Sequence, residues 1–166
     1  MKLSLKTPAK VNLCLSILGK RADGFHEMET ILQMVSLYDQ IDLEWLASGI
    51  ELICDTPGIP SDDSNLAVRA ALLLQKTFPG RCAGARITLE KHIPAGAGLG
   101  GGSGNAAGVL MGLNVLWDLK LERQELAPWP LNWGPMFPFF WAHRVHWEPG
   151  AEKFSPPYKP LKNITF

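Results

Sequence analysis

Six glycines, Gly96, Gly98, Gly100, Gly101, Gly102 and Gly104, stand inside the string IPAGAGLGGGSGNAA. The string lies between a strand-like ITLEKHI and a stretch whose apolar residues Ala106, Val109, Leu110, Leu113 and Trp117 recur with the helical period from about Asn105 onward. Glycines in such number let the backbone take positive φ and approach a ligand closely, with successive N–H groups turned inward. At a helix N-terminus the first-turn amides and the positive end of the dipole join them, so the natural occupant is a phosphate. Ser103 adds a hydroxyl that can reach a phosphate oxygen or a magnesium ion. A Walker A loop is excluded, because no Gly-Lys-Ser/Thr closes the motif. Gly96, Gly98 and Gly101 match the dinucleotide-fingerprint spacing, but that site requires a second strand ending in an acidic residue, and here a helix runs on to Asp118.

The rest of the chain reads as α+β. Val11, Leu13, Leu15 and Ile17 alternate with Asn12, Cys14 and Ser16, which predicts a strand over residues 10–18 with one face in a core; Leu3 and Leu5 suggest an earlier partner strand. Further strands are expected over 41–45, 50–54 and 85–91. Asp63, Ser64 and Asn65 can cap a helix carrying Leu66, Ala70, Leu73 and Leu74 on its apolar stripe.

Sixteen basic residues balance sixteen acidic ones in the 166-residue sequence, so nothing in the overall charge points to nucleic acid or an anionic membrane, and an anion must be held locally. The N-terminus lacks the apolar run of a signal peptide and no stretch is long enough to span a membrane, which leads to the expectation of a cytoplasmic protein. Cys14, Cys54 and Cys82 are odd in number and widely spaced, which fits half-buried free thiols rather than a disulfide framework or a metal site.

PAKVNLCLSILGKRADGFHEM, taken with IPAGAGLGGGSGNAA, resembles paired motifs of the GHMP family of small-molecule kinases. Within that family the N-terminal string is most similar to the branch acting on cytidine diphosphate-linked methylerythritol, in isoprenoid precursor synthesis. The resemblance implies the GHMP kinase N-terminal domain over residues 1–126, an α+β fold of the ribosomal protein S5 domain 2-like type, with the C-terminal domain absent from this sequence. It implies that the loop from Pro94 to Gly104 (Pro94, Ala95, Gly96, Ala97, Gly98, Leu99, Gly100, Gly101, Gly102, Ser103, Gly104) wraps the phosphates of ATP, with Mg2+ as the accompanying ion. Lys10 matches the family's active-site lysine. Asn12, two residues on and on the same strand face, is placed to hydrogen-bond substrate hydroxyls. His26 matches the residue that reads the cytosine edge, and Phe25 stands where tyrosine is common, keeping a stacking face without the hydroxyl. Two other readings stay open: another GHMP kinase, such as one acting on homoserine, mevalonate or galactose, and an inactive nucleotide-binding fragment.

The resemblance fails over residues 127–151 and returns over 152–166. Where the family has Gly-Ala-Asp-Val-Pro-Phe-Phe, whose aspartate is taken as the base, this chain reads Trp133, Gly134, Pro135, Met136, Phe137, Pro138, Phe139 and Phe140, and no aspartate follows Asp118. Pairing each codon's third base with the next codon's first two gives an explanation. Trp133 and Gly134 then force glycine, Met136 and Phe137 force valine, and both Phe140-Trp141-Ala142 and His146-Trp147-Glu148 force Leu-Gly. The hidden frame can spell Leu-Gly-Ala-Asp-Val-Pro-Phe-Phe-Leu-Gly. The segment is therefore read as shifted by one base, and turnover by the chain as written is expected to be lost.

Overall fold

The computed structural model describes residues 2–20, 26–126 and 146–147. The elements run β1 (Lys2–Lys20), β2 (His26–Leu46), β3 (Ile50–Ile53), α1 (Leu66–Thr77), β4 (Gly84–Glu90), α2 (Gly101–Leu116), α3 (Arg123–Leu126) and β5 (His146–Trp147). Five strands form one mixed sheet in the order β3-β4-β2-β1-β5. β1 with β2 and β2 with β4 are antiparallel, whereas β3 and β4 are parallel and joined through α1.

Helices α1 and α2 cover one face of the sheet. Leu3 and Leu5 on β1, Ile41 and Leu43 on β2, and Ala85, Ile87 and Leu89 on β4 point into a single core with Ala70, Leu74, Val109, Leu110 and Leu113 from the helices. Each fully buried leucine or isoleucine contributes roughly 1.5–3 kcal/mol by the area it removes from water. On the opposite face, cross-strand ion pairs follow the register: Lys2 reaches Glu44 at 3.5 Å, and Arg86 reaches Glu44 at 3.5 Å and Glu51 at 2.9 Å. All are partly exposed, so each adds little on its own.

Helix α2 lies close to the sheet because it presents glycine to it. A Cβ built on Gly112 would stand 2.3 Å from Leu43 Cδ1, and one on Gly108 would stand 2.6 Å from Thr7 Cγ2. No larger residue fits there without moving a strand or the helix.

Several expectations need correction. The two N-terminal strands are one strand of 19 residues, bent by register shifts at Pro8/Ala9, Asn12/Cys14 and Ile17/Gly19. Its apolar alternation beyond Val11 does not face a core, since Leu13, Leu15 and Ile17 are 64%, 52% and 65% exposed. The β1–β2 hairpin projects past the helical layer, and nothing among the described residues covers that end. Helix α2 begins at Gly101 rather than Asn105, because Gly100, at φ 77°, turns the chain and serves as its N-cap. Cys14 is exposed rather than half-buried; Cys54 and Cys82 are intermediate, and all three are free. Asn65 caps α1 as expected, its side chain accepting from the Ala67 amide at 2.9 Å. Most of the segment 127–151 and all of 152–166 lie outside the described residues; from the former, His146 and Trp147 pair with Lys6 and Leu5 at the sheet edge.

Candidate nucleotide-binding site

The path from β4 to α2 is fixed by backbone chemistry. Gly96, Gly98 and Gly100 take φ of 72°, 72° and 77°, a region that strains other residues. A Cβ on Gly96 or Gly98 would meet no atom within 4 Å. Unlike α1, α2 starts without a side-chain cap. Its opening turn therefore presents backbone N–H groups and the positive end of its dipole toward the loop.

A cavity of 390 Å3 opens at this point. Every predicted loop residue from Pro94 to Ser103 lines it, whereas Gly104 is buried inside the first helical turn, its N–H bonded to Gly100 O at 2.9 Å. The facing wall comes from Ile59, Pro60 and the capping region Ser64, Asn65 and Leu66. The sequence reading had these last three only as a helix start; their second role depends on where α1 sits, which local pattern does not reveal.

Lys10 is buried, 5% exposed. Its N–H donates to Leu99 O at 2.9 Å, so the strand bearing the lysine is tied directly to the glycine loop. Its Nζ donates to Asn12 Oδ1 at 2.5 Å, confirming that the two side chains share a face. Asn12 Nδ2 in turn donates to Thr30 Oγ1 at 2.8 Å, and the Thr30 hydroxyl to Cys14 O at 2.8 Å. Burial lowers the Lys10 pKa from its ordinary value of 10.5, since desolvation penalises the charged form. Phe25 lies outside the described residues; His26 opens β2, but its side chain lies outside them too.

Three polar residues under the loop were missed. Thr7, Asp39 and Lys91 occupy core-facing positions: Thr7 continues the Leu3, Leu5 series, Asp39 precedes Ile41 and Leu43, and Lys91 follows Ile87 and Leu89. Thr7 and Asp39 are register partners, and Thr7 Oγ1 donates to Asn105 Oδ1 at 2.8 Å. Asp39 is fully buried, accepts from the His92 and Ile93 amides at 2.8 Å each, and pairs with Lys91 Nζ. The detectable signal was phase: a charged residue two positions from a core residue on a strand points into the core.

The GHMP kinases N terminal domain profile matches residues 65–134. The crystal structure of a 4-(cytidine 5'-diphospho)-2C-methyl-D-erythritol kinase superposes with a TM-score of 0.69 at 40% identity, covering 83% of this chain and 48% of that one. The described residues have the GHMP kinase N-terminal domain fold. Homoserine kinase from Cytophaga hutchinsonii shares this fold alone, with a TM-score of 0.56 at 22% identity over 76% of this chain and 39% of its own. In sequence, the chain is similar to 4-diphosphocytidyl-2-C-methyl-D-erythritol kinase of Acaryochloris marina, 50% identical over 137 residues, or 82% of this chain and 44% of the relative. The same kinase of Nostoc punctiforme is 43% identical over 165 residues, 97% of this chain and 52% of the relative. The chain thus spans about half the length of the curated relatives it matches. No described helix is long and apolar enough to cross a membrane.

Proposed function

We propose that this chain supplies the ATP-binding half of a kinase that phosphorylates a hydroxyl of 4-diphosphocytidyl-2-C-methyl-D-erythritol in isoprenoid precursor synthesis. The observation that carries the reading is the Lys10 N–H to Leu99 O bond of 2.9 Å, which joins the strand of the lysine to the loop of the cavity. A phosphate in that cavity would meet the loop amides and the α2 N-terminus, and Lys10 and Asn12 would lie on the strand next to it. The residues fit a nucleotide: Gly96 and Gly98 leave their side-chain space open, and the loop is anchored at Leu99 and at the His92 and Ile93 amides. ATP supplies the transferable γ-phosphate, with Mg2+ neutralising its developing charge.

In this reading the loop from Pro94 to Gly104 orients the phosphates and Ser103 reaches the magnesium ion. Lys10 holds positive charge beside the transferring group, Asn12 keeps the ammonium in place and meets substrate hydroxyls, and Phe25 and His26 take the cytosine. Phosphoryl transfer depends mainly on such positioning and charge. The aspartate that would take the hydroxyl proton is missing from residues 127–151, which we read as translated one base out of frame, so this sequence binds nucleotide without useful turnover. Titrating the chain with ATP, and assaying a version with the frame restored across 127–151 within a full-length kinase, tests both halves. ATP binding by the chain with turnover only after restoration is the expected result. Normal turnover by the chain as written would refute the assignment of the base, and no ATP binding would refute the site.

A further inference from the structure

Beneath the glycine loop the chain spends a carboxylate and an ammonium on one contact in its interior. Asp39 is completely buried and Lys91 nearly so, with 6% of its side chain exposed. A buried pair of this kind adds little net stability compared with apolar residues of the same size, because both charges must leave water. Its placement is unusual as well. A Cβ on Gly101, the first residue of α2, would stand 2.9 Å from Lys91 Nζ, so a cation is held against the positive end of a helix. Lys91 lines the cavity and Asp39 does not, which leaves the positive end of the pair on the ligand side. Asp39 Oδ1 meanwhile accepts from the His92 and Ile93 amides, the last backbone groups before the loop begins at Pro94.

Building on the ATP-site reading, we propose that Asp39 is a positioning residue for the nucleotide: it acts through Lys91, fixing the ammonium in the cavity wall, and through the two amides, fixing where the loop departs. The unfavourable contact between Lys91 and the helix end persists because Asp39 holds it, and an anionic ligand entering the cavity relieves it. Stability and nucleotide affinity therefore depend on the pair in different ways.

The test uses the 166-residue chain with Asp39→Asn, Lys91→Met and the double variant. Thermal midpoints are measured beside calorimetric affinities for ATP and adenosine. Asp39→Asn keeps an oxygen for the two amides but removes the charge that holds Lys91. Both single variants should weaken ATP by about tenfold and adenosine by less than about threefold. The double variant, with no unpaired buried charge, should recover most of the midpoint and none of the ATP affinity. ATP affinity that follows the midpoint across the set, or equal losses for ATP and adenosine, would make the pair a structural device and overturn the proposal. Unchanged ATP affinity in the single variants would overturn it too. An unsubstituted chain that binds no ATP would instead overturn the ATP-site reading on which the proposal rests.

Discussion

Strand β1 belongs to two different environments. Its first half, through Lys10, lies under α2 and contributes Leu3, Leu5, Thr7 and Ala9 to the interior; its second half carries Leu13, Leu15 and Ile17 into solvent, beside Ile31 of β2 at 61% exposed. The residue alternation is equally regular in both. The difference is coverage: α2 packs on the first half with glycines at 108 and 112, whereas the second half is paired with β2 and its apolar side chains stay exposed. Alternation thus identifies a face, while burial depends on what the rest of the fold lays over it. Lys10 stands at the boundary, which explains how one side chain is both buried and next to the exposed hairpin.

The largest expected effect tests that boundary. In a full-length kinase carrying the family's aspartate motif, Lys10→Ala should lower kcat by about two to three orders of magnitude, the scale of a lost charge-stabilising donor, with ATP affinity within about tenfold. Near-normal kcat in steady-state assays would make Lys10 a packing residue. Next in size, Gly100→Val should weaken ATP binding at least about a hundredfold, because a β-branched residue at φ 77° displaces the N-cap of α2. Calorimetry on folded protein checks this, and undiminished binding would remove the loop from the site.

Two substitutions of smaller effect compare the halves of the strand directly. Gly108→Val, beneath the covered half, should cost about 1–3 kcal/mol in chemical denaturation, since its Cβ alone would meet Thr7 Cγ2 at 2.6 Å. Leu15→Ser, on the uncovered half, should change stability by less than about 0.5 kcal/mol. If the two costs are similar, the hairpin is covered in this chain and the comparison fails.

The smallest effect is a pH dependence. Burial lowers the Lys10 pKa, so the unfolded chain holds the proton more tightly than the folded one. Stability contributed at this site should therefore rise with pH through the window between the lowered value and 10.5, with the penalty for burying charge fully present below it. Lys10→Met should flatten that slope in denaturation curves collected on the alkaline side; an unchanged slope would place its origin elsewhere.

Much of this arrangement was legible before the structure. The helical stripe Ala106, Val109, Leu110, Leu113 and Trp117 is buried as its period implied, Asn65 caps α1, and the glycine string lines a cavity at a helix start. Local pattern failed where the outcome depended on distant packing. Gly101 and Gly102 read as loop because glycine disfavours helices, yet the helix begins at Gly101, where Lys91 and Ile93 leave no room for a larger side chain. The hairpin residues read as core because their alternation carries no information about the extent of α2. Asp39 and Lys91 were overlooked because charged residues on strands are usually solvated, and only their phase with Ile41 and Leu89 marks them as interior.

Residues 94–104 and the start of α2 are proposed to form a nucleotide cradle within this chain. Amide hydrogen exchange of the 166-residue chain with and without ATP measures it directly. The account predicts ATP-dependent protection concentrated in residues 94–104 and the first turn of α2, lost in Gly100→Val, with the exposed hairpin around Leu13, Leu15 and Ile17 unchanged. Protection absent from the loop, or appearing instead on the hairpin, would contradict it.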